Sequence, residues 1–470
     1  MKKTIFALVL ILMLSSCNLV TFGSSKSDVN QHSNSTSSIN NISEEESTSS
    51  SLNNEDLGYK KLSFDKNVQD LEYVAGALPS KGSPRALVIP IDFSDCSAES
   101  KGYSIEKIDK AFNGNENDTG WESVNSYYYK SSYGKVDVQF DVMDSWFRAK
   151  NTSSYYENYK SPDGYTDPAE ILIKEFLEAN DKKMDFSIYD TNKDGYMDAI
   201  YVIYSHSIDR VNVETIWWAY QYYYFAEDYY DKVSPYYYMF AGYDFLFDDN
   251  ILNNAHTYIH ESGHVFGLED YYDYDDYVGA NKGGLAGADM MDFTVGDHNP
   301  FSKMLLGWVS PNLITTKTSV TIDLEAFQEN GEFIILANEW DDSKGMYQEY
   351  FIVEYWTPTG LNEFDSKGEY LYSAPGIRVI HINAELDYNT YNQYYFKYNN
   401  TDTKYKMIEL VPANGAIITN SSSASNAFLY TPTKYKTFSG AKYSDGTSLN
   451  YSFVVNSLSS THANITFTKS

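Results

Sequence analysis

The chain has 470 residues, enough for more than one domain and a large core, and carries a formal net charge of −30. A field of that sign repels nucleic-acid phosphates and anionic headgroups, which excludes nucleic acid as a default partner and suits a soluble exported protein that captures cations. With only two cysteines, Cys17 and Cys96, the fold does not rest on disulfides.

In chain order, Lys2 and Lys3 precede an apolar run over residues 5–14 that is too short to span a bilayer with ordinary flanks, so it reads as an export signal. Leu14-Ser15-Ser16-Cys17 follows and resembles the lipobox of bacterial lipoproteins, which makes residues 1–16 the signal peptide and Cys17 the lipidated anchor. Residues 17–54 are dominated by Ser, Asn, Thr and Glu and cannot bury enough apolar surface to offset ordering entropy; they are expected to be a disordered tether. Residues 55–84 form an N-terminal extension. The expected location is the cell surface, with the membrane reached only through the lipid. Cys96, left without a partner, reads as a small buried hydrophobe.

A folded domain is predicted over residues 85–312. The run 86–93 is a buried strand despite Pro90. Ile105, Ile108, Ala111 and Phe112 repeat at helical spacing, with Gly114 as a stop. A further helix is expected at 124–130 and an alternating strand at 135–142. Asp167 and Pro168 then supply an N-cap and a first helical position for a helix to about 179. Before the strand at 199–204 lies Asp190-Thr-Asn192-Lys-Asp194-Gly195-Tyr196-Met-Asp198. Its oxygens at positions one, three, five and nine, its backbone carbonyl at Tyr196 and its glycine at six match a Ca²⁺ loop, although position twelve is Tyr201 and not a bidentate Glu. Residues 214–249 are crowded with Tyr, Trp and Phe, as core and edge-strand packing or as an aromatic strand open to a peptide.

The helix predicted over residues 254–266 contains His260-Glu261-Ser262-Gly263-His264. Two histidines four apart share one helix face and reach one ion, with Glu261 beside it as a candidate general base. Only eight histidines occur in the chain, so composition alone does not account for the pattern. Gly267 can end the helix in a left-handed conformation, and a catalytic Zn²⁺ site needs a third protein ligand, for which Asp270 and Glu269 stand just past that turn. His298 is a further candidate, as an oxyanion donor or a structural hydrogen-bonding group. Beyond residue 312, short alternating runs at 320–324, 333–337, 350–355, 377–382, 407–410, 451–455 and 463–467 suggest an antiparallel β-sandwich over 313–470.

The zinc helix, together with residues 283–308 (beginning Gly-Gly-Leu-Ala-Gly-Ala-Asp-Met-Met-Asp-Phe), resembles the immune inhibitor A family of secreted zinc metallopeptidases, which are similar to metzincins. The resemblance spans roughly residues 85–385. It implies an α+β metzincin-like catalytic domain with Asp270 as third zinc ligand and Met291 (alternatively Met290) as an apolar methionine turn beneath the metal. Glu261 would act as general base on zinc-bound water in the hydrolysis of peptide bonds. The implied protein is a zinc metalloendopeptidase acting on proteins or peptides; a monomer is expected, and the 190–198 loop adds a structural Ca²⁺. Phe293 departs from the family pattern, which often has Tyr there. The alternative is a surface binding or adhesion lipoprotein with a vestigial zinc site.

Overall fold

The computed structural model describes residues 57–71, 77–162, 164, 166–209, 215–273, 284–368, 371–389, 394–401, 403–419 and 422–470, without the side chains of 248–250. The expected signal peptide, the lipidated Cys17 and the tether lie outside the described residues. Among the described residues the architecture mixes helices with several mixed sheets and contains no barrel.

Strand β1 (Tyr59–Lys61) belongs to the C-terminal half and is described with it below. The first sheet holds β2 (Arg85–Asp92), β3 (Gln139–Val142), β5 (Ala199–Tyr204), β6 (Tyr220–Tyr223) and β7 (Tyr237–Gly242), in the order β3-β2-β5-β7-β6; β4 (Phe147–Arg148) also pairs with β2. Its strands run parallel except β6, the antiparallel edge. The near-continuous apolar runs of β2 and β5 follow from burial on both faces. Leu87, Ile89, Ile200 and Val202 point to one side, where they meet Leu172, Ile173 and Phe176. Those three belong to a helix, Pro168–Asn180, started by Asp167, whose side chain accepts from Ala169 N. Ala86, Val88, Tyr201 and Met239 point to the other side, against Ile108 and Phe112 of α1 (Ile105–Asn113), Tyr127 and Tyr128 of α2 (Val124–Ser131), and Tyr258 and Ile259 of α3 (His256–Val265). Pro90 is accommodated inside β2 with complete burial of its neighbours Ile89 and Ile91.

Two smaller helices, α4 (Met290–Phe293) and α5 (Pro300–Leu305), lead into the C-terminal half. There, one sheet has the order β1-β8-β10-β11-β12-β15, from β8 (Asn312–Ile314), β10 (Ile334–Leu336), β11 (Glu349–Trp356), β12 (Gly376–Asn383) and β15 (Ile408–Leu410), while β13 (Leu386–Tyr388) and β14 (Tyr394–Phe396) form a separate antiparallel pair. The other is β16-β17-β18-β9, from β9 (Ser319–Glu325), β16 (Thr437–Phe438), β17 (Tyr451–Leu458) and β18 (His462–Lys469). Leu324, Phe351, Val353, Val379, Phe453 and Phe467 fill the space between them, so the two sheets form a sandwich. It is not wholly antiparallel as expected, because β8 and β10 pair in parallel. It also recruits β1 from the N-terminal extension, paired antiparallel with β8. Neither feature has a local sequence signal, since pairing partners lie far apart in the chain.

The outer face of the larger sheet is buried too. Along β11, Phe351 and Val353 face the sandwich while Tyr350 and Ile352 join a cluster that includes Met290, Met291, Phe301 and Trp308. This cluster runs across residue 312, and the C-terminal half thereby forms one wall of the region that holds α3.

His381 in β12 links three strands, with Nε2 2.8 Å from Glu349 Oε1 of β11 and Nδ1 3.3 Å from Glu409 Oε1 of β15. Burial opposes charge on the imidazole, but the two carboxylates more than offset it, and its pKa is raised. A raised folded-state value contributes stability that is complete below the unfolded value of about 6.5 and is lost as pH rises through the folded value. The melting temperature of wild type should therefore exceed that of His381→Gln most at about pH 6, and the gap should narrow by ~2 °C by pH 9. A gap that stays constant across this range would show that the ion pair contributes nothing.

Candidate metal centre

Helix α3 begins after Asn254, whose side-chain oxygen accepts from His256 N at 2.9 Å. Tyr258, Ile259, Val265 and Phe266 anchor it in the core. At its C-terminus Gly267 adopts φ +100°, and Leu268 N–H donates to Gly263 O at 2.9 Å. That reversal carries the chain back along the helix, so Leu268 and Asp270 meet the face that bears the histidines.

The result is a convergence of His260, His264 and Asp270, whose ligand atoms lie within 4.8 Å of one another, the one such group of carboxylates, imidazoles or thiols among the described residues. Asp270 Oδ1 is 3.1 Å from His260 Nε2 and 3.2 Å from His264 Nε2. On the far side of each ring, His260 Nδ1 donates to Met290 O at 2.7 Å and His264 Nδ1 donates to Leu268 O at 2.8 Å. A carbonyl only accepts, so each Nδ1 carries a proton and each Nε2 is the ring nitrogen turned to the common point. Burial would raise the Asp270 carboxyl, but the two imidazoles hold it well below the ordinary carboxylate range. Burial likewise opposes charge on His264, yet Asp270 pushes it up to about 10. The pocket thus draws positive charge to the Nε2 positions. Two nitrogens and one carboxylate of this polarity fit Zn²⁺. Glu261 is 7 % exposed; burial raises its pKa, and His260 and His264 pull it back.

Met291 is fully buried and lies under the helix at the glycine between the histidines: a Cβ built on Gly263 would meet Met291 Sδ at 2.5 Å and Cε at 3.0 Å. Gly263→Ala is expected to lose about 1–3 kcal/mol to this overlap, more than the helix propensity it gains. Chemical denaturation measures it; unchanged stability would mean that Met291 has room to move. The turn itself is held by Asp289, which accepts from Met291 N at 2.9 Å and from Asn299 N at 2.8 Å, and by Asp292, which accepts from Leu285 N and Gly287 N. Phe293 packs with a separate cluster that includes Ala288, Trp356 and Leu410.

The remaining sequence candidates fall elsewhere. Glu269 is outside the converging group. His298 is 1 % exposed among Tyr127, Tyr128 and Trp308, and neither ring nitrogen has a hydrogen-bond partner among the described residues. Burial and then Lys303 hold it neutral, with a pKa well below the ordinary value. In the 190–198 loop the side chains turn onto nearby main chain: Asp190 accepts from Asp194 N and Gly195 N, Asn192 from Asp194 N, Asp194 from Tyr196 N, and buried Asp198 from Thr191 N and Arg85 N. Sequence reasoning missed the carbonyls of Leu268 and Met290, which carry no residue-type signal, and Tyr272, whose ring stacks on His260 at 6.2 Å between centroids.

Residues 1–18 match the prokaryotic membrane lipoprotein lipid attachment site, which supports a lipid-anchored, membrane-associated protein with Cys17 inside the matched segment. No curated protein matches the chain. Among the described residues no helix is long and apolar enough to cross a membrane. The resemblance to immune inhibitor A peptidases rests on the residues of the helix and the turn.

Proposed function

We propose that the protein is a surface-exposed, lipid-anchored zinc metalloendopeptidase with a metzincin-like site of the immune inhibitor A kind. The observation that carries this reading is the convergence of His260, His264 and Asp270 with both Nδ1 atoms committed to carbonyls and Glu261 buried beside them. His260 Nε2, His264 Nε2 and a carboxylate oxygen of Asp270 would hold Zn²⁺. When bound, the ion supplies Lewis-acid polarisation of an amide carbonyl and lowers the pKa of water toward about 7.

The chain's own groups do the rest. Glu261 accepts a proton from the attacking water at a carboxylate oxygen and delivers it to the departing amine nitrogen, so one water is consumed for each peptide bond broken. The two imidazoles keep their Nδ1 protons on Met290 O and Leu268 O and take no part in that transfer. Met291 gives the site an apolar floor. Strand β6, the outermost of its sheet, packs beside α3 and offers an edge to which an extended substrate can add by main-chain hydrogen bonds.

The test is cleavage-site profiling on a peptide library with bound zinc measured in parallel. Cleavage should stop on chelation and return with Zn²⁺. Metal-loaded protein that cuts no peptide would overturn the reading and leave a binding lipoprotein in its place.

A further inference from the structure

The groups that aim the metal ligands do not all come from the zinc helix and its turn. Tyr271, the residue after Asp270, is held through both of its main-chain polar groups: its N–H donates to Met291 O at 2.8 Å, and its carbonyl accepts from Asn400 Nδ2 at 2.7 Å. Asn400 is 4 % exposed and belongs to the connection entering β15. There the same Nδ2 donates to Ile408 O at 3.0 Å, and Oδ1 accepts from Ile408 N at 3.2 Å. Thr403 secures the connection, donating through Oγ1 to Asn399 O and Tyr405 O. Strand β15 also takes hold further along the chain, where Leu410 N–H donates to Gly284 O at 2.8 Å. At Gly284 a Cβ would fall 2.0 Å from Ile408 O, so only glycine allows that approach. Beside it, Arg378 of β12, buried with its cross-strand partner Glu354, donates to Ala288 O at 2.9 Å just before the methionine turn.

Resting on the metal-centre reading above, we infer that Asn400 is a positioning residue for the third ligand, through which the C-terminal sheet sets the place of Asp270. The Tyr271 carbonyl is buried and has Asn400 as its anchor. Without the amide, Tyr271 is tied through its N–H only, and the carboxylate of the preceding Asp270 loses its fixed reach to the two imidazoles. Groups that orient ligands in this way are worth about 10–100-fold in metal affinity.

The experiment uses the full chain and two variants. Asn400→Ala removes the bridge. Asn400→Asp keeps the shape and the acceptor for Ile408 N while removing the donor to Tyr271 O. The readouts are the Zn²⁺ dissociation constant by chelator competition and the Co²⁺ d–d spectrum, each taken below the first melting transition. Both variants should bind Zn²⁺ about 10–100-fold more weakly, with an altered Co²⁺ band shape. The added negative charge of Asn400→Asp would by itself favour a cation, so its loss of affinity is the stricter result. Asn338→Ala serves as the control: Asn338 bridges Ser448 O and Asn450 N in the sandwich, away from the histidines, and its loss should lower the melting temperature without moving either metal readout. Wild type that binds no Zn²⁺ overturns the metal-centre reading itself. Wild-type binding with undiminished affinity and an unchanged Co²⁺ spectrum in both Asn400 variants overturns this inference alone.

Discussion

Glu261→Gln is expected to bind Zn²⁺ as wild type does and to lose about 10²–10⁴-fold in kcat, the range for removing a positioned general base. Glutamine keeps the size of the side chain, so the helix and the burial at this position are preserved. What disappears is the ability to take a proton at oxygen. Because His260, His264 and Asp270 are the converging donors and Glu261 is not among them, zinc content and the Zn²⁺ dissociation constant should not change. The loss should fall on kcat with KM little altered, since the proton moves in the transition state and not on binding. Steady-state kinetics on the best library peptide, with zinc measured on the same sample, gives the answer. A variant that retains wild-type kcat would remove Glu261 from the reaction.

Asp270→Ala should abolish the thermal stabilisation that Zn²⁺ confers, whereas Glu269→Gln should leave it intact. A ligand at a hundred times its dissociation constant stabilises the folded state by about 2.7 kcal/mol, and this linkage vanishes when the site no longer binds. The assignment to Asp270 over its neighbour comes from the contacts of Oδ1 with both Nε2 atoms. Without added metal the Asp270→Ala protein loses a further element, because the two buried imidazoles no longer face a carboxylate. The comparison should therefore be made as the shift in melting temperature produced by Zn²⁺ in each protein. Equal shifts in wild type and Asp270→Ala would exclude it as a ligand.

Much of the site could be read from the sequence because its signals are local. His260, Glu261 and His264 lie within one and a half turns of one helix, and the periodicity of that helix fixes which residues share a face. Gly267 announced the reversal because a positive φ is nearly free only for glycine, and the structure has it there. Strands β2, β5, β11 and β12, the helix begun by Asp167 and the helix starting at Ile105 appear where apolar runs, a cap and helical spacing place them.

What could not be read is long-range. The parallel pairing of β8 with β10, and the recruitment of β1, depend on partners that no window of sequence contains. The oxygen-rich run at 190–198 has the spacing of an ion loop. In the fold Asp190, Asn192, Asp194 and Asp198 accept from nearby backbone amides, which shapes the loop and leaves further carboxylate lone pairs for a cation. His298, expected as an oxyanion donor or a structural hydrogen-bonding group, is enclosed by Tyr127, Tyr128 and Trp308, and neither ring nitrogen has a hydrogen-bond partner among the described residues.

The amino-acid sequence by itself determined that two imidazoles share one helix face with a carboxylate next to it, that the chain turns back after them, and that a lipid attachment signal precedes a polar tether. Tertiary structure alone decided which ring nitrogen each histidine turns to the common point, and that a sheet more than a hundred residues downstream braces Asp270 through Asn400. The physical reason is one of range: helix faces, caps and glycine turns arise within a few residues, whereas backbone carbonyls that fix a tautomer and buried amides that hold a loop act only after distant segments have packed together.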